Sequence, residues 1–199
     1  SERKSDREAL RRSSARLEAL VAASPLAIMV QDSEGAIRRW NEAAERIFGW
    51  TEQEAMGQSM LEVPDARRAE DIGFRERILR GQHFADVEAM RRRKDGSDIP
   101  VSLSAAPRRN ANGEARGMVM FAADISERKR AERRQNIQNA VTILLAEADT
   151  VEHVIPRVIQ TLCEGLGWVA GARRIVAKND GLMRHTEDWG SAQPEIQKF

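Results

Sequence analysis

The residue types that most often carry chemistry are few in this chain and lie far apart. Cysteine occurs once, at Cys163, and histidine occurs at His83, His153 and His185. None of them has a Cys or His neighbour at the short spacing of a metal site. The sequence also has no phosphate-binding glycine loop, nucleophile elbow or paired-carboxylate signature. We therefore predict neither a catalytic site nor a metal site.

Cys163 could be either a reactive thiol or a small core residue. It lies in a predicted helix with Val158, Ile159 and Leu162. A free cysteine among aliphatic residues most often packs as a small apolar side chain, so we predict a core residue rather than a reactive thiol. A single cysteine also excludes an intrachain disulfide and suits a reducing, cytoplasmic compartment.

The charges of the chain nearly cancel, with 32 Lys and Arg against 31 Asp and Glu. Such a balance gives no global field that would attract nucleic acid or anionic lipid. The densest basic run, residues 91–94, falls at a predicted strand end, so we interpret it as a solvated hairpin end and predict no nucleic-acid partner. No apolar run approaches the roughly 20 residues of a membrane span, and we predict no membrane contact.

Turn signals divide the middle of the chain into strands. Turn-forming residues occur at 32–35, 94–97 and 110–113, and the second of these contains the Asp-Gly pair typical of hairpins. The predicted strands are residues 27–30, 36–40, 84–92, 99–106 and 117–123. The order predicts an α+β domain whose five-stranded antiparallel sheet has helices inserted between strands 2 and 3.

Cap signals place the helices. Asn41 can cap a helix that Gly49 ends, and Thr51-x-x-Glu54 is a capping box for a second short helix. A longer helical piece is predicted at 69–80. Another helix, with a narrow apolar stripe, is predicted at the N-terminus.

Apolar alternation assigns faces to the last strands. Within residues 84–92, Ala85, Val87 and Ala89 share one face. The strand at 117–123 is apolar on both faces and must be covered on both. We predict that the inserted helices cover one side, and that the N-terminal helix or a second copy of the domain covers the other.

Three segments in this order resemble the PAS family of sensor domains. They are Ile37–Thr51 with Glu54 and Gly57, the late hairpin Arg93–Ser97, and the junction Asp124-Ile125-Ser126 that passes into a charged helix. The resemblance covers about residues 20–126 and implies a PAS fold with its PAC-type C-terminal part. It divides the chain into an N-terminal helix at 1–23, a PAS domain at 24–126 and a signalling helix at 127–149.

The resemblance implies a pocket between the sheet and the inserted helices. Its candidate wall residues are apolar: Ile28, Val30, Ile47, Met56, Leu61, Ile72, Ile78, Val87, Ala89, Val101 and Leu103. Small residues such as Ala89 would leave room for a ligand, whereas bulky neighbours would fill the space. Whether this space is open or filled decides whether a ligand binds.

The cofactor is unknown, and its absence is the favoured prediction. Haem-binding PAS domains usually take their axial histidine from a helix, whereas His83 falls in a predicted turn. Trp40 and Trp50 could stack on a non-covalent flavin, although the family often has structural aromatic residues at both positions. The flavin adduct of light-oxygen-voltage domains is excluded, because residues 57–68 contain no cysteine.

The junction residues Asp124, Ile125 and Ser126 are the predicted route of signal transmission. The resemblance implies that Asp124 holds the junction, Ile125 packs on the core and Ser126 caps the output helix. A homodimer is predicted through coil-like seams on the N- and C-terminal helices. The seam residues are Leu10, Leu17 and Leu20 in the first helix, and Ile137, Val141 and Leu144 in the second, with Ala148 and Val151 continuing the spacing. The second seam would equally suit docking onto a downstream domain.

Residues 150–199 resemble the opening of a GAF domain, with two helices, Gly167-Trp168 and a hairpin around 179–181. We interpret the chain as a non-catalytic piece of a larger signalling protein. Such modules regulate histidine kinases of two-component systems or cyclic-dinucleotide enzymes. The two functions left open are a sensor that relays a pocket or interface change, and a ligand-free dimerisation module.

Overall fold

A computed structural model describes residues 2–59, 62–176 and 183–190. The chain divides into two compact units, Ser1–Ser126 and Glu127–Phe199. The two units are described separately below.

The first unit contains one antiparallel sheet and the helices inserted into it. Its elements are α1 Glu2–Ala22, β1 Ala27–Asp32, β2 Ile37–Trp40, α2 Glu42–Phe48, α3 Glu52–Ala55, a 3-10 turn Asp65–Arg67, α4 Arg68–Leu79, β3 Phe84–Arg92, β4 Asp98–Arg109 and β5 Ala115–Asp124. The strand order is β2-β1-β5-β4-β3, so β5 is central. The predicted α+β class, the five strands and the insertion of helices between strands 2 and 3 are confirmed.

Local hydrogen bonds explain where the short helices begin and end. The Asn41 side chain accepts the N–H of Ala44, and Gly49 ends α2 in the left-handed conformation at a φ of 81°. Thr51 and Glu54 form the predicted capping box of α3. Both predictions came from side chains that satisfy backbone groups only a few residues away.

The core lies between one sheet face and α2 to α4. Trp40 and Phe48 pack there with ring centroids 5.6 Å apart. The buried positions of β1 are Ala27, Met29 and Gln31, which alternate with half-buried ones. Ile28 and Val30 therefore lie on the opposite face of the sheet, and their prediction as pocket walls was wrong.

A β-bulge changes the faces of β3. Phe84 pairs with Ala105 and Val87 pairs with Leu103, so two residues of β3 oppose one residue of β4. Asp86, in the bulge, has a φ of 52°. The bulge removes Ala85 from the alternation, so the prediction that Ala85 shares a face with Val87 and Ala89 was wrong for Ala85.

The outer face of the sheet carries apolar residues on β1 and β5, and α1 does not bury its leucines there. Leu17 and Leu20 are 61% and 62% exposed. The side chain of Leu10 is outside the described residues. Asn41 holds the end of α1, because its Nδ2 donates to the carbonyl of Val21 at 3.0 Å. Of the two covers predicted for this face, the N-terminal helix does not provide one through Leu17 and Leu20, and a second copy of the domain stays a prediction.

The second unit contains most of α5 Ser126–Ala146, followed by α6 Val151–Leu166 and the antiparallel strands β6 Ala170–Val176 and β7 Met183–Gly190. Cys163 is buried in α6, as predicted, and burial raises the pKa of its thiol. The predicted turn at 179–181 lies outside the described residues.

The predicted seam residues of α5 are buried or half-buried within the second unit. Ile137 is buried, and a Cβ added at Gly165 of α6 would lie only 2.7 Å from its Cδ1 atom. Val141 and Leu144 are half-buried. Because α5 ends at Ala146, the heptad spacing does not continue along one helix through Ala148 and Val151. The packing of Ile137 against α6 agrees with the second of the two predicted uses of this seam, docking onto the following domain, rather than with a dimer contact of Ile137.

None of the helices in the described part of the chain combines the length and the apolar composition that a membrane span requires.

Gly117 provides a test of the close approach between β5 and β1. Its φ is +141°, and an added Cβ would collide with the carbonyl oxygen of Gln31 and lie 2.9 Å from the Cα of Asp32. We predict that Gly117→Ala lowers the free energy of unfolding by roughly 2–5 kcal/mol, since it adds backbone strain to overpacking. Urea denaturation followed by circular dichroism measures the change.

The matched control is Gly73→Ala in α4. An added Cβ at Gly73 meets nothing within 4 Å. This change should raise the free energy of unfolding by about 0.5–1 kcal/mol, through helix propensity alone. Equal effects of the two substitutions would contradict the close strand approach.

Candidate functional site

A small cavity lies between α4 and the inner face of β3 and β4. Its volume is about 70 Å³. Its apolar walls come from Phe74, Val87, Ala89 and Leu103. Its charged lining residues are the buried Arg91, the half-buried Asp71, and the exposed Arg67, Glu70 and Glu88. The helix therefore contributes an aromatic ring and a carboxylate, and β3 contributes a guanidinium.

Arg91 is buried at the charged end of this cavity. It pairs with Ile99 across the β3–β4 ladder, on the same face as Ala89 and Val101. Its side chain is 9% exposed and its Nη2 lies 2.8 Å from Oδ1 of Asp71. The interpretation of residues 91–94 as a solvated hairpin end was therefore wrong for Arg91, which follows Val87 and Ala89 at the strand period of two.

Glu62 adds a second buried carboxyl to this region. Glu62 is 3% exposed, and its Oε2 has no hydrogen-bond partner among the described residues. Burial raises the pKa of Glu62, an effect that Arg91 opposes and Asp71 reinforces. Burial also raises the pKa of Asp71, against the opposing effect of Arg91. The main chain is fixed here, because Arg92 donates its N–H to the Glu62 carbonyl at 2.7 Å.

Three of the predicted wall residues, Val87, Ala89 and Leu103, line this cavity. The other predicted residues lie elsewhere: Met56 and Ile72 are exposed, Ile78 and Val101 are fully buried in the core, Ile47 packs beside the core, and Leu61 is outside the described residues. The sequence reasoning missed Asp71 and Arg91, because it searched for apolar walls and grouped Arg91 with its basic neighbours.

The described cavity does not fit the cofactors considered from the sequence. Its 70 Å³ falls well below the roughly 300–1,000 Å³ of sites for larger ligands. His83 is exposed in the turn after α4, and α4 itself contains no histidine. Trp40 donates its indole N–H to the carbonyl of Trp50 at 2.9 Å, as a structural residue would. No group of residues suited to a metal ion occurs in the described part of the chain.

A second cluster joins the end of β5 to α5. Oδ1 of Asp124 accepts the N–H of Ser126 at 2.8 Å, and its Oδ2 lies 3.4 Å from Nη2 of Arg93. Ile125 is buried and donates its N–H to the carbonyl of Pro100 at 3.1 Å. The contacts expected of Asp124 and Ile125 are present. The capping oxygen belongs to Asp124, whereas Ser126 is the first residue of the helix.

Arg93 connects this junction to α2. Its Nε donates to the carbonyl of Ile47 at 3.0 Å, and the next residue, Lys94, donates its N–H to the carbonyl of Phe48 at 2.8 Å. The turn between β3 and β4 therefore bridges the C-terminal end of α2 and the carboxylate of Asp124. Sequence spacing could not reveal this bridge, since its partners lie more than thirty residues apart.

The model of the PAS fold matches residues 15–125, which is more than half of the chain. The chain belongs to the PAS family. Its first unit is the PAS unit, and both clusters described above lie in it. The predicted fold is thereby confirmed.

Known proteins share this fold and part of this sequence. The sensor protein FixL of Bradyrhizobium diazoefficiens is 28% identical over 178 residues, which cover 85% of this chain and 35% of that protein. A PAS domain from Colwellia psychrerythraea has a TM-score of 0.52 at 20% identity, covering 57% of this chain and 97% of that one. An RNA-binding light-oxygen-voltage receptor has a TM-score of 0.54 at 22% identity, covering 65% of this chain and 37% of that one. The two structures show the fold alone.

The chain thus spans about a third of the length of that curated relative. The family and the sensor relative support a sensory module of signal transduction.

Glu62 gives the PAS unit a pH-dependent stability. Because burial raises the pKa of Glu62, the folded state holds this proton more tightly than the unfolded chain does. The resulting stability is fully present below the ordinary glutamate value of about 4.3 and is lost as pH rises through the folded value. Glu62→Gln should therefore be more stable than the wild type near neutral pH, by a margin that shrinks as the solution is acidified.

The comparison is made by urea denaturation over a pH series. Glu76→Gln is the control, because Glu76 is exposed and its ion pair with Arg80, at 3.9 Å, lies on the surface. Substitutions at such exposed sites change stability little. A wild type that is more stable than Glu62→Gln at neutral pH would contradict the assignment of Glu62 as a buried acid that destabilises the fold when ionised.

Proposed function

We propose that the chain is a non-catalytic sensory module that relays a change at the PAS cavity to α5. The observation that supports this proposal is that residues of three neighbouring strands pair directly across the sheet. Ala89 of the cavity wall pairs with Val101, and Val101 pairs with Asp124. A displacement of β3 at the cavity therefore needs to pass through only one strand to reach the residue that holds α5.

The contacts of Asp124 suit a switch better than a permanent lock. The side chains of Arg93 and Asp124 are 38% and 35% exposed and 3.4 Å apart, so their ion pair contributes only about 0–1 kcal/mol. The hydrogen bond from Ser126 to the same carboxylate is a helix-capping interaction of about 1 kcal/mol. A modest movement of the β3–β4 turn can thus exchange the partners of Asp124 and change the first turn of α5.

Dimerisation without a ligand is the second candidate function. It is favoured by the exposed leucines of α1, Leu17 and Leu20, and by an outer sheet face that carries Ile28, Val30 and Phe121 half-buried. A parallel or antiparallel pairing of α1 helices would bury both sets in a homodimer.

We further infer that the second unit is the opening part of a GAF domain. The order of α6, β6 and β7 suits that family, and Trp168 and Val169 are 58% and 53% exposed, as expected where more structure would pack. In the full protein, the module would control an output domain such as a histidine kinase or a cyclic-dinucleotide enzyme.

The relay predicts that Arg93 stabilises the first turn of α5. In Arg93→Met, Asp124 loses its charged partner, and amides 126–130 should exchange with solvent roughly two- to fivefold faster, equivalent to about 0.5–1 kcal/mol. Hydrogen exchange read by mass spectrometry on the full chain measures this rate. Exchange in β4 should stay unchanged.

The control for this experiment is Arg92→Met. Arg92 pairs with Asp98 at 3.2 Å on the exposed side of the same strand end, so its loss should not alter α5. If Arg93→Met left the exchange of α5 at the wild-type rate, the relay would be refuted.

Dimerisation is tested by sedimentation over a concentration series. Leu17→Glu with Leu20→Glu places like charges on the exposed stripe and should raise the dimer dissociation constant at least about tenfold. Ala15→Glu, on the opposite side of the helix, should leave it unchanged. A wild-type chain that sediments as a monomer at all concentrations would eliminate this function.

A further inference from the structure

The charged end of the PAS cavity offers a hydrogen-bond donor and an acceptor side by side. Arg91 donates from Nη2 to Oδ1 of Asp71 at 2.8 Å and from Nη1 to the carbonyl of Met90 at 3.2 Å. A guanidinium has five N–H groups and a carboxylate has two acceptor oxygens. Within the described residues, both side chains therefore retain hydrogen-bonding capacity beyond their mutual ion pair.

Burial makes this remaining capacity significant. Arg91 and Asp71 have side chains only 9% and 17% exposed. Buried polar groups whose hydrogen bonds are not completed destabilise a protein. A ligand that completed these hydrogen bonds would therefore bind tightly for its size.

The balance of charge selects the ligand. The least exposed charges of the cavity are one guanidinium, Arg91, and one carboxylate, Asp71. The other charged lining residues, Arg67, Glu70 and Glu88, are exposed and of both signs. A simple anion would compete with Asp71 for Arg91, while a simple cation would leave the remaining donors of Arg91 unused. A molecule that carries a carboxylate and an ammonium on the same carbon atom satisfies Arg91 and Asp71 together and adds no net charge.

The volume limits the ligand further. A cavity of about 70 Å³ holds roughly five to seven water-sized groups at 10–15 Å³ each. The opposite walls, formed by Phe74, Val87 and Leu103, are apolar and suit a short aliphatic side chain.

We propose that this cavity binds a small aliphatic α-amino acid of the size of alanine. Its carboxylate would accept from Arg91, its ammonium would donate to Asp71, and its methyl group would face Leu103. The role of this ligand as the stimulus of the relay rests on the proposed function, whereas its binding to the cavity does not.

The test is titration of the full chain with L-alanine, propionate and isopropylamine, followed by amide chemical shifts in NMR. L-Alanine should give saturable shifts around Ala89 and Arg91. Propionate and isopropylamine each lack one charged group and should bind about tenfold or more weakly. Propionate or isopropylamine binding as tightly as L-alanine would overturn the proposal, and so would the absence of saturation by L-alanine at millimolar concentration.

Ala89→Leu is the matched variant, because it fills the cavity and leaves both charged residues in place. It should abolish the saturable shifts, whereas Ala85→Leu, at the exposed bulge, should retain them. Retained binding in Ala89→Leu would overturn the site.

The same samples separate the site from the relay. If L-alanine binds but exchange in 126–130 does not respond, the site stands and the relay fails. If L-alanine does not bind but Arg93→Met still loosens α5, the relay stands and the site fails.

Discussion

The position of β5 is the constraint on which the rest of the PAS unit depends. It is hydrogen-bonded to β1 on one edge and to β4 on the other, and one residue separates its end from α5. Because both of its edges are paired, it cannot move without moving its neighbours. Gly117 tightens the constraint further, since only a residue without a Cβ fits so close to Gln31.

The two charged clusters differ in burial, and burial decides what each can do. The side chains of Arg91 and Asp71 are only 9% and 17% exposed, and an unpaired charge there is strongly destabilising. Arg93 and Asp124 are about one-third exposed, where ion pairs are weak and readily exchanged. The first arrangement suits recognition of a ligand, and the second suits transmission of a change.

Much of the fold was predictable because its signals are local. The cap at Asn41, the capping box at Thr51 and the hairpin turns depend on residues a few positions apart, and the succession of strands and helices along the chain followed from them. The β3 bulge had no comparable signal, because Asp86 adopts its conformation through the ladder to β4. Burial of Arg91 was implied by strand parity, but its basic neighbours concealed it. Ile137 is buried because it packs beside Gly165 of α6. The spacing of residues on one helix cannot reveal such a contact between two helices.

The most direct test of the account is the response of the Ile125 and Ser126 amides when the cavity is filled. NMR chemical shifts of Ala89→Leu are compared with those of the wild type, with Trp40 at the far edge of the sheet as the reference residue. The account predicts that the amides of Ile125 and Ser126 shift while that of Trp40 does not, because Ala89, Val101 and Asp124 pair in sequence across the sheet. Shifts confined to β3, β4 and α4, with Ile125 and Ser126 unchanged, would contradict the relay.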